Sequence, residues 1–191
     1  AILDHYRFLQ ARWSLENGPL TELIQAMLTE QEGVRIQSEE ELLEYCYGVA
    51  GTIGLMLCPI FGVKNKEALE HAKNLGIAMQ LTNICRDVGE DARAGRLYLP
   101  RDLMQAAGMD PDAFVRNPTP SAQLTHVLKQ VLAEAERRYE LADEGIRQLP
   151  RSCRPGILAA RRLYAEIGHT VAHNDYCLLY TSDAADDDRG V

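Results

Sequence analysis

The 191 residues include 46% hydrophobic side chains, enough for one sizeable core and about one domain. Aromatic residues make up only 6% while Ala, Leu, Glu, Arg and Gln are plentiful, which disfavours a β-sandwich or barrel and predicts an all-α fold. A formal net charge of −8 argues against a general nucleic-acid binder, which needs a basic face to release phosphate counterions.

The same charge is compatible with a phosphorylated substrate, because acidic side chains can hold Mg²⁺ and let the metal meet the phosphate. Five cysteines (Cys46, Cys58, Cys85, Cys153 and Cys177) stand singly, without CxxC spacing, and fit a reducing cytoplasm. The chain opens Ala1-Ile2-Leu3-Asp4-His5 without an initiator Met or a leader pattern, and so reads as an internal start.

In chain order, weak apolar periodicity predicts a first helix over residues 2–15, broken by Asn17-Gly18-Pro19. Leu20, Leu23, Ile24, Met27 and Leu28 follow helical spacing and predict a second helix to about Glu32, stopped by Gly33. Ser38-Glu39-Glu40-Glu41 is a capping-box pattern, in which the Ser hydroxyl takes an orphan backbone N–H and the Glu reaches back to the cap. It starts a third helix that runs to near Pro59. Residues 47–63 carry no charge, but Gly48, Gly51, Gly54, Pro59 and Gly62 interrupt them, so a buried helix followed by a turn is expected rather than a membrane span. Each helical Gly costs roughly 1 kcal/mol against Ala. Close packing or a ligand wall would explain the cluster.

A fourth helix is predicted over residues 64–92, with Asn65 as cap and Ala68, Leu69, Ala72, Leu75, Ala78, Met79 and Ile84 as core. Gly95-Arg96-Leu97-Tyr98-Leu99-Pro100 reads as an extended loop, and residues 101–107 as a short helix closed by Gly108. Pro111, Pro118 and Pro120 mark a connecting region. Two helices follow, over residues 121–149 and 155–176. Residues 177–191 lose all periodicity and read as an unstructured, non-native tail; their Asp cluster admits a metal reading or a solvated one. The expected organisation is a helical domain over residues 1–176 and that tail.

The segment that carries chemistry is Gln80-Leu81-Thr82-Asn83-Ile84-Cys85-Arg86-Asp87-Val88-Gly89-Glu90-Asp91. At about 100° per residue, Gln80, Asn83, Asp87 and Asp91 fall at about 0°, −60°, −20° and +20°, so four oxygen-bearing side chains share one stripe. Two carboxylates four residues apart repel on a helix. A hard cation resolves this: Mg²⁺ takes oxygen ligands, one or two carboxylates among them, and lets substrate phosphate complete its shell. A solvated acidic pair is the plainer alternative, but apolar residues flank the stripe on the other faces.

Two stretches, Tyr45-Cys46-Tyr47-Gly48-Val49-Ala50-Gly51-Thr52-Ile53-Gly54 and residues 80–100 (QLTNICRDVGEDARAGRLYLP), resemble the signature segments of the squalene/phytoene synthase family in its bacterial phytoene synthase branch. Weaker similarity runs from about Leu20 to Tyr176. The resemblance implies an isoprenoid synthase-type helical bundle, incomplete at its N-terminal side. It also implies head-to-head condensation of two prenyl diphosphates through a cyclopropyl diphosphate, with Mg²⁺, or Mn²⁺ in its place, assisting both ionisations. Asp87 and Asp91 match the family's second aspartate-rich motif, with Asn83 as a further metal ligand, Gln80 beside the diphosphate and Arg86 by the leaving phosphate. Tyr47 matches a tyrosine near the reacting carbons, Tyr98 lies in a loop closing over the site, and Tyr176 lies at the diphosphate end. Gly48, Ala50, Gly51 and Gly54 would line the isoprenoid channel. Departing charge cannot be left bare in an apolar site, and the carbocation needs a wall that excludes water.

The family's first aspartate-rich motif has no counterpart here: Asp4 stands alone, and Ala26-Met27-Leu28-Thr29-Glu30 matches the family's G-M-x-x-D stretch only approximately. Residues 1–191 are therefore expected to be inactive by themselves. The competing readings are a squalene, dehydrosqualene or hydroxysqualene synthase, the squalene case using NADPH, and a non-catalytic assembly-factor relative, which would tend to lose the paired aspartates. A plain helical interaction domain would tolerate loss of Asp87. A cytoplasmic location with loose peripheral membrane association is expected from the insolubility of the product.

Overall fold

The computed structural model describes residues 2–173, and its described elements are all helical. Helix α1 is Ile2–Trp13 and α2 is Asn17–Gln31. The second helix starts three residues earlier than its apolar spacing suggests. Pro19 is accepted there because the first-turn N–H groups have no intrahelical partner to lose. Gly33 follows it at φ +108°, a left-handed conformation that glycine adopts without steric cost.

Helix α3, Glu39–Cys46, is capped as its sequence predicts: the Glu41 N–H donates to Ser38 Oγ at 3.2 Å. The return arm differs in detail, since Glu41 Oε2 accepts from the Gln37 N–H at 2.7 Å, one residue before the cap. The helix then passes through one π-helical stretch, Tyr47–Gly51, into α4, Thr52–Ile60. By length and composition the continuous helix Glu39–Ile60 could cross a membrane, yet it packs against α2 and α5. The expectation of a buried helix holds for one face only, since Ile53, Leu57 and Ile60 on the other are 43%, 37% and 37% exposed.

The centre of the fold is α5, Lys66–Arg93, capped by Asn65 Oδ1 accepting from the Ala68 N–H at 2.7 Å. Ile77, Ala78, Leu81, Ile84, Cys85 and Val88 are buried along it. Its main partner is α8, Ala122–Gln148, capped by Ser121 Oγ. Arg138 Nη1 of α8 donates to Asn74 Oδ1 at 2.8 Å, and the Thr82 and Tyr139 hydroxyls lie 3.0 Å apart in the buried interface. Each fully buried leucine, such as Leu81, Leu124 or Leu128, stabilises by about 1.5–3 kcal/mol. Between α5 and α8 come α6, Arg101–Ala106, and α7, Pro111–Arg116. The last is a helix where a connection was expected: Pro111 takes its first position and Asp110 Oδ1 accepts from the N–H groups of Asp112 and Ala113. Helix α9, Arg154–His173, packs on α5 and α8, where Arg161 grips both carboxylate oxygens of Asp143 at 3.0 Å.

The segment between α5 and α6 is drawn inward. Leu97, Tyr98 and Leu99 are buried, and the N–H groups of Arg101 and Asp102 donate to the carbonyls of Ile36 and Gln37. Two chain segments far apart in sequence are thereby locked together at one end of α5.

Candidate active site

Helices α4, α5, α8 and α9, together with part of the π-helical stretch, enclose a groove of about 410 Å³, within the size range of small-molecule sites. Val49, Ala50, Ile53, Gly54 and Leu57 form one wall, Ala142, Gly145, Ile146 and Leu149 another, and Ile157, Ala160 and Tyr164 a third. Along α5 the wall runs Ala68, His71, Ala72, Leu75, Gly76 and Met79, then turns polar at Gln80 and Asn83. A greasy cleft thus ends at the first two members of the predicted oxygen stripe.

At that end the Asn83 Nδ2 donates to Gln80 Oε1 at 3.4 Å, while Asn83 Oδ1 is shielded from water and has no hydrogen-bond partner. Such an orphaned acceptor costs about 1–3 kcal/mol. One turn further along the same helix stands Asp87, its two oxygens taking the Arg86 Nε and Nη2 donors at 2.6 Å each. One more turn on, Asp91 Oδ1 accepts from Arg96 Nη2 at 2.8 Å and Nε at 3.2 Å. Burial raises the Asp91 carboxyl above its ordinary value, Arg96 opposes this, and the like charges of Asp87 and Glu90 add to the rise. The hydrogen bond to Asp87 raises the Arg86 guanidinium despite partial burial, with further contributions from Asp87, Tyr164 and Glu90.

The buried loop adds a second polar group. Tyr98 donates to Glu30 Oε1 of α2 at 2.5 Å and stacks on Tyr45 at 5.2 Å with the rings tilted by 30°. Burial, then Glu30, pushes the Tyr98 hydroxyl up to about 12. Burial likewise pushes Tyr45 upward, with Tyr98 and Glu30 adding to it. Both phenols therefore stay protonated and serve as donors.

The predicted site residues divide into those the fold gathers and those it sends elsewhere. Gln80 and Asn83 face the groove, and Ala50 and Gly54 line it. Gly48 and Gly51 do not: a Cβ at Gly48 would lie 2.7 Å from Ala26 Cβ, and one at Gly51 2.8 Å from Tyr47 Cδ2, so these glycines serve close packing. Gly54 does both, since a side chain there would also strike the Ala72 carbonyl. Tyr47 lies outside the groove wall. Its hydroxyl donates to Glu22, Lys73 Nζ sits 5.8 Å from its ring centroid, and burial followed by Glu22 pushes it up to about 12. Tyr176 and the tail over residues 177–191 fall outside the described residues. Sequence reasoning missed Tyr45, Tyr164 and His71, which tertiary packing alone brings to the site; Glu30 had a signal in the approximate G-M-x-x-D match.

Among the described residues no group of three or more Asp, Glu, His or Cys side chains is arranged to hold a metal. Asp87, Asp91 and the orphaned Asn83 oxygen lie on successive turns of α5, the two carboxylates paired with Arg86 and Arg96; oxygen donors of this kind are those that Mg²⁺ takes.

Comparison with known proteins agrees with this geometry. The family profile described as squalene/phytoene synthase matches residues 1–185. The chain is similar to the phytoene synthase of Rhodobacter capsulatus, 44% identical over 154 residues covering 81% of this chain and 45% of the relative. It is also similar to the 15-cis-phytoene synthase of a Paracoccus species, 42% identical over 168 residues covering 88% and 52%. A crystal structure of a dehydrosqualene synthase in complex with ligand superposes with a TM-score of 0.82 at 30% identity, over 91% of this chain and 61% of that one. The squalene synthase HpnC from Alicyclobacillus acidocaldarius gives a TM-score of 0.85 at 21% identity, over 90% and 65%, and bears on the fold alone. The chain spans about half the length of the curated relatives it matches. Fold and groove together define a protein of the all-helical isoprenoid synthase class. Within that class, the chain belongs to the squalene/phytoene synthase family.

Proposed function

We propose that this chain supplies the second metal-binding helix and part of the prenyl channel of a head-to-head prenyltransferase of the phytoene synthase type. The observation that carries the reading is the orphaned Asn83 oxygen at the polar end of an apolar groove, one turn from Asp87 on the same helix face. A buried acceptor without a partner is a cost that a ligand in the site would relieve. Identities of 41–44% to bacterial phytoene synthases support the same reaction class.

In this reading one prenyl diphosphate loses its diphosphate and the allylic cation adds to the double bond of the second. Proton loss gives a cyclopropyl diphosphate; its ionisation releases the second diphosphate, and rearrangement with loss of a second proton gives the hydrocarbon. Asn83, Asp87 and Asp91 would hold Mg²⁺, or Mn²⁺ in its place, which supplies positive charge against the departing diphosphate. Arg86 and Arg96 add guanidinium donors at the same end, where paired N–H groups match phosphate oxygens. Tyr98 of the adjoining loop and Tyr45 of α3 hold protonated hydroxyls. The apolar walls keep water from the carbocation, and Tyr164 offers an aromatic face at the polar end of the groove.

The 30% identity to a dehydrosqualene synthase supports a second reading with the same chemistry on shorter tails. A cytoplasmic enzyme in loose contact with a membrane that takes up the product accompanies either proposal.

The test is Asp87→Ala and Asp91→Ala in the full-length protein, with geranylgeranyl diphosphate and Mg²⁺. We expect product formation to fall by about 100-fold or more while the circular dichroism spectrum stays helical. Unchanged turnover in both variants would defeat the assignment.

A further inference from the structure

One groove residue is unlike its neighbours. On α5 the lower wall of the groove is Ala68, His71 and Ala72, a bulky polar ring between two alanines. The His71 side chain is 12% exposed, and its Nε2 is buried without a hydrogen-bond partner. The nearest carboxylate oxygen, Glu67 Oε1, lies 3.9 Å away, too far for a hydrogen bond. No contact of Nε2 therefore explains the imidazole.

The facing helix makes room for it. A Cβ built on Gly145 of α8 would collide with His71 Cβ and lie 2.8 Å from its Cγ, so the ring occupies space that any other residue at 145 would fill. Below it the groove continues for one turn to Ala68, Cys58 and Val63, which form a small apolar cluster with Phe61 and Leu149. From His71 to Ala68 is three residues, about 4.5 Å along the helix axis, close to the depth of a single isoprene unit. From Asp87 to His71 the helix advances about 24 Å, a distance suited to a tail of several such units.

We propose that His71 is the depth stop of the groove: seated against Gly145, its side chain narrows the cavity one turn above the floor and limits how far a hydrocarbon tail descends. It thereby sets the prenyl chain length that the site accepts. This inference rests on the prenyl diphosphate reading above and names the residue that decides its substrate.

The test measures kcat/KM of the full-length protein, separately, for farnesyl, geranylgeranyl and geranylfarnesyl diphosphate. Wild type, His71→Ala, His71→Leu and His71→Trp are compared, with thermal melts to establish folding. Relative to wild type, His71→Ala shifts preference towards the next longer substrate by about tenfold or more, the scale on which hydrophobic pockets discriminate size. His71→Trp shifts it towards the next shorter one, and His71→Leu, similar in bulk but apolar, retains the wild-type order. An unchanged order in folded His71→Ala overturns the inference, as does a shift in His71→Leu equal to that of the alanine variant. Should His71→Ala fail to fold, an unchanged order in His71→Trp overturns it equally. If wild type converts none of the three, the prenyl diphosphate reading itself falls and takes the depth stop with it.

Discussion

The Oδ1 atom of Asn83 is closed off from water and unmatched by any donor, so the folded chain is less stable than a chain with a small apolar residue there. Asn83→Ala removes the orphan, and we expect the melting temperature to hold or rise, by up to about 1 kcal/mol of stability. The same variant should bind Mn²⁺ and inorganic pyrophosphate more weakly, as read by calorimetric titration. A large drop in stability with unchanged binding would mark Asn83 as a structural residue. The stripe of Gln80, Asn83, Asp87 and Asp91 is legible in the sequence because helical spacing alone fixes it. Tyr45 is not legible as a site residue, and Glu30 only through its approximate match to the G-M-x-x-D stretch, since each reaches Tyr98 from another element.

Among the elements, the contact between α5 and α8 is the most extensive. Gly145→Ala should cost about 1–3 kcal/mol through overpacking against His71. Gly156→Ala, where a Cβ meets nothing within 4 Å inside α9, should gain about 0.5–1 kcal/mol. Paired urea melts of the two variants distinguish space from propensity; equal effects would refute the packing argument. Glu134 of α8 supplies a pH test. Burial pushes its carboxyl up, but Arg137 and Arg138 outweigh burial and hold it below the ordinary value of 4.5. A carboxyl lowered by folding contributes stability above its unfolded value and loses it as pH falls through the folded one. Glu134→Gln should therefore lower the melting temperature at neutral pH, and the difference should close as the pH drops below 4.5.

Capping residues account for most of what the sequence makes readable about these elements. Ser38 and Asn65 each cap the helix predicted to follow, because a short oxygen side chain before an apolar run has one favourable use; Ser121, read as the first residue of its helix, is its cap in the structure. Helix α7 escapes notice because Pro111 is read as a break, although after Asp110 it is a helix start. The π-helical stretch at Tyr47–Gly51 leaves no pattern of its own, since its existence depends on what α2 and α5 demand of the glycines.

At the level of the whole molecule, the described residues offer one carboxylate pair, one and two turns along α5 beyond the polar end of the groove, and no three-residue metal cluster. Residues 1–191 are expected to bind Mn²⁺ with pyrophosphate, and the Asp87→Ala, Asp91→Ala double variant to lose that binding in calorimetric titration. Equal binding by the folded double variant would overturn this. The helical class follows from composition, whereas the groove depends on four helices meeting, and no single segment announces that meeting.

The π-helical stretch has a further effect on how such a site tolerates change. A π-helical turn holds one residue more than the α-helical turn it replaces, so deleting one of residues 47–51 would restore an unbroken α-helix and leave Ile53, Gly54 and Leu57 facing the groove wall. A one-residue insertion elsewhere in the same helix, with no such turn to take it up, would rotate everything beyond it by about 100° and carry those side chains off the wall. The stretch is where a change in chain length is absorbed without unmaking the cleft.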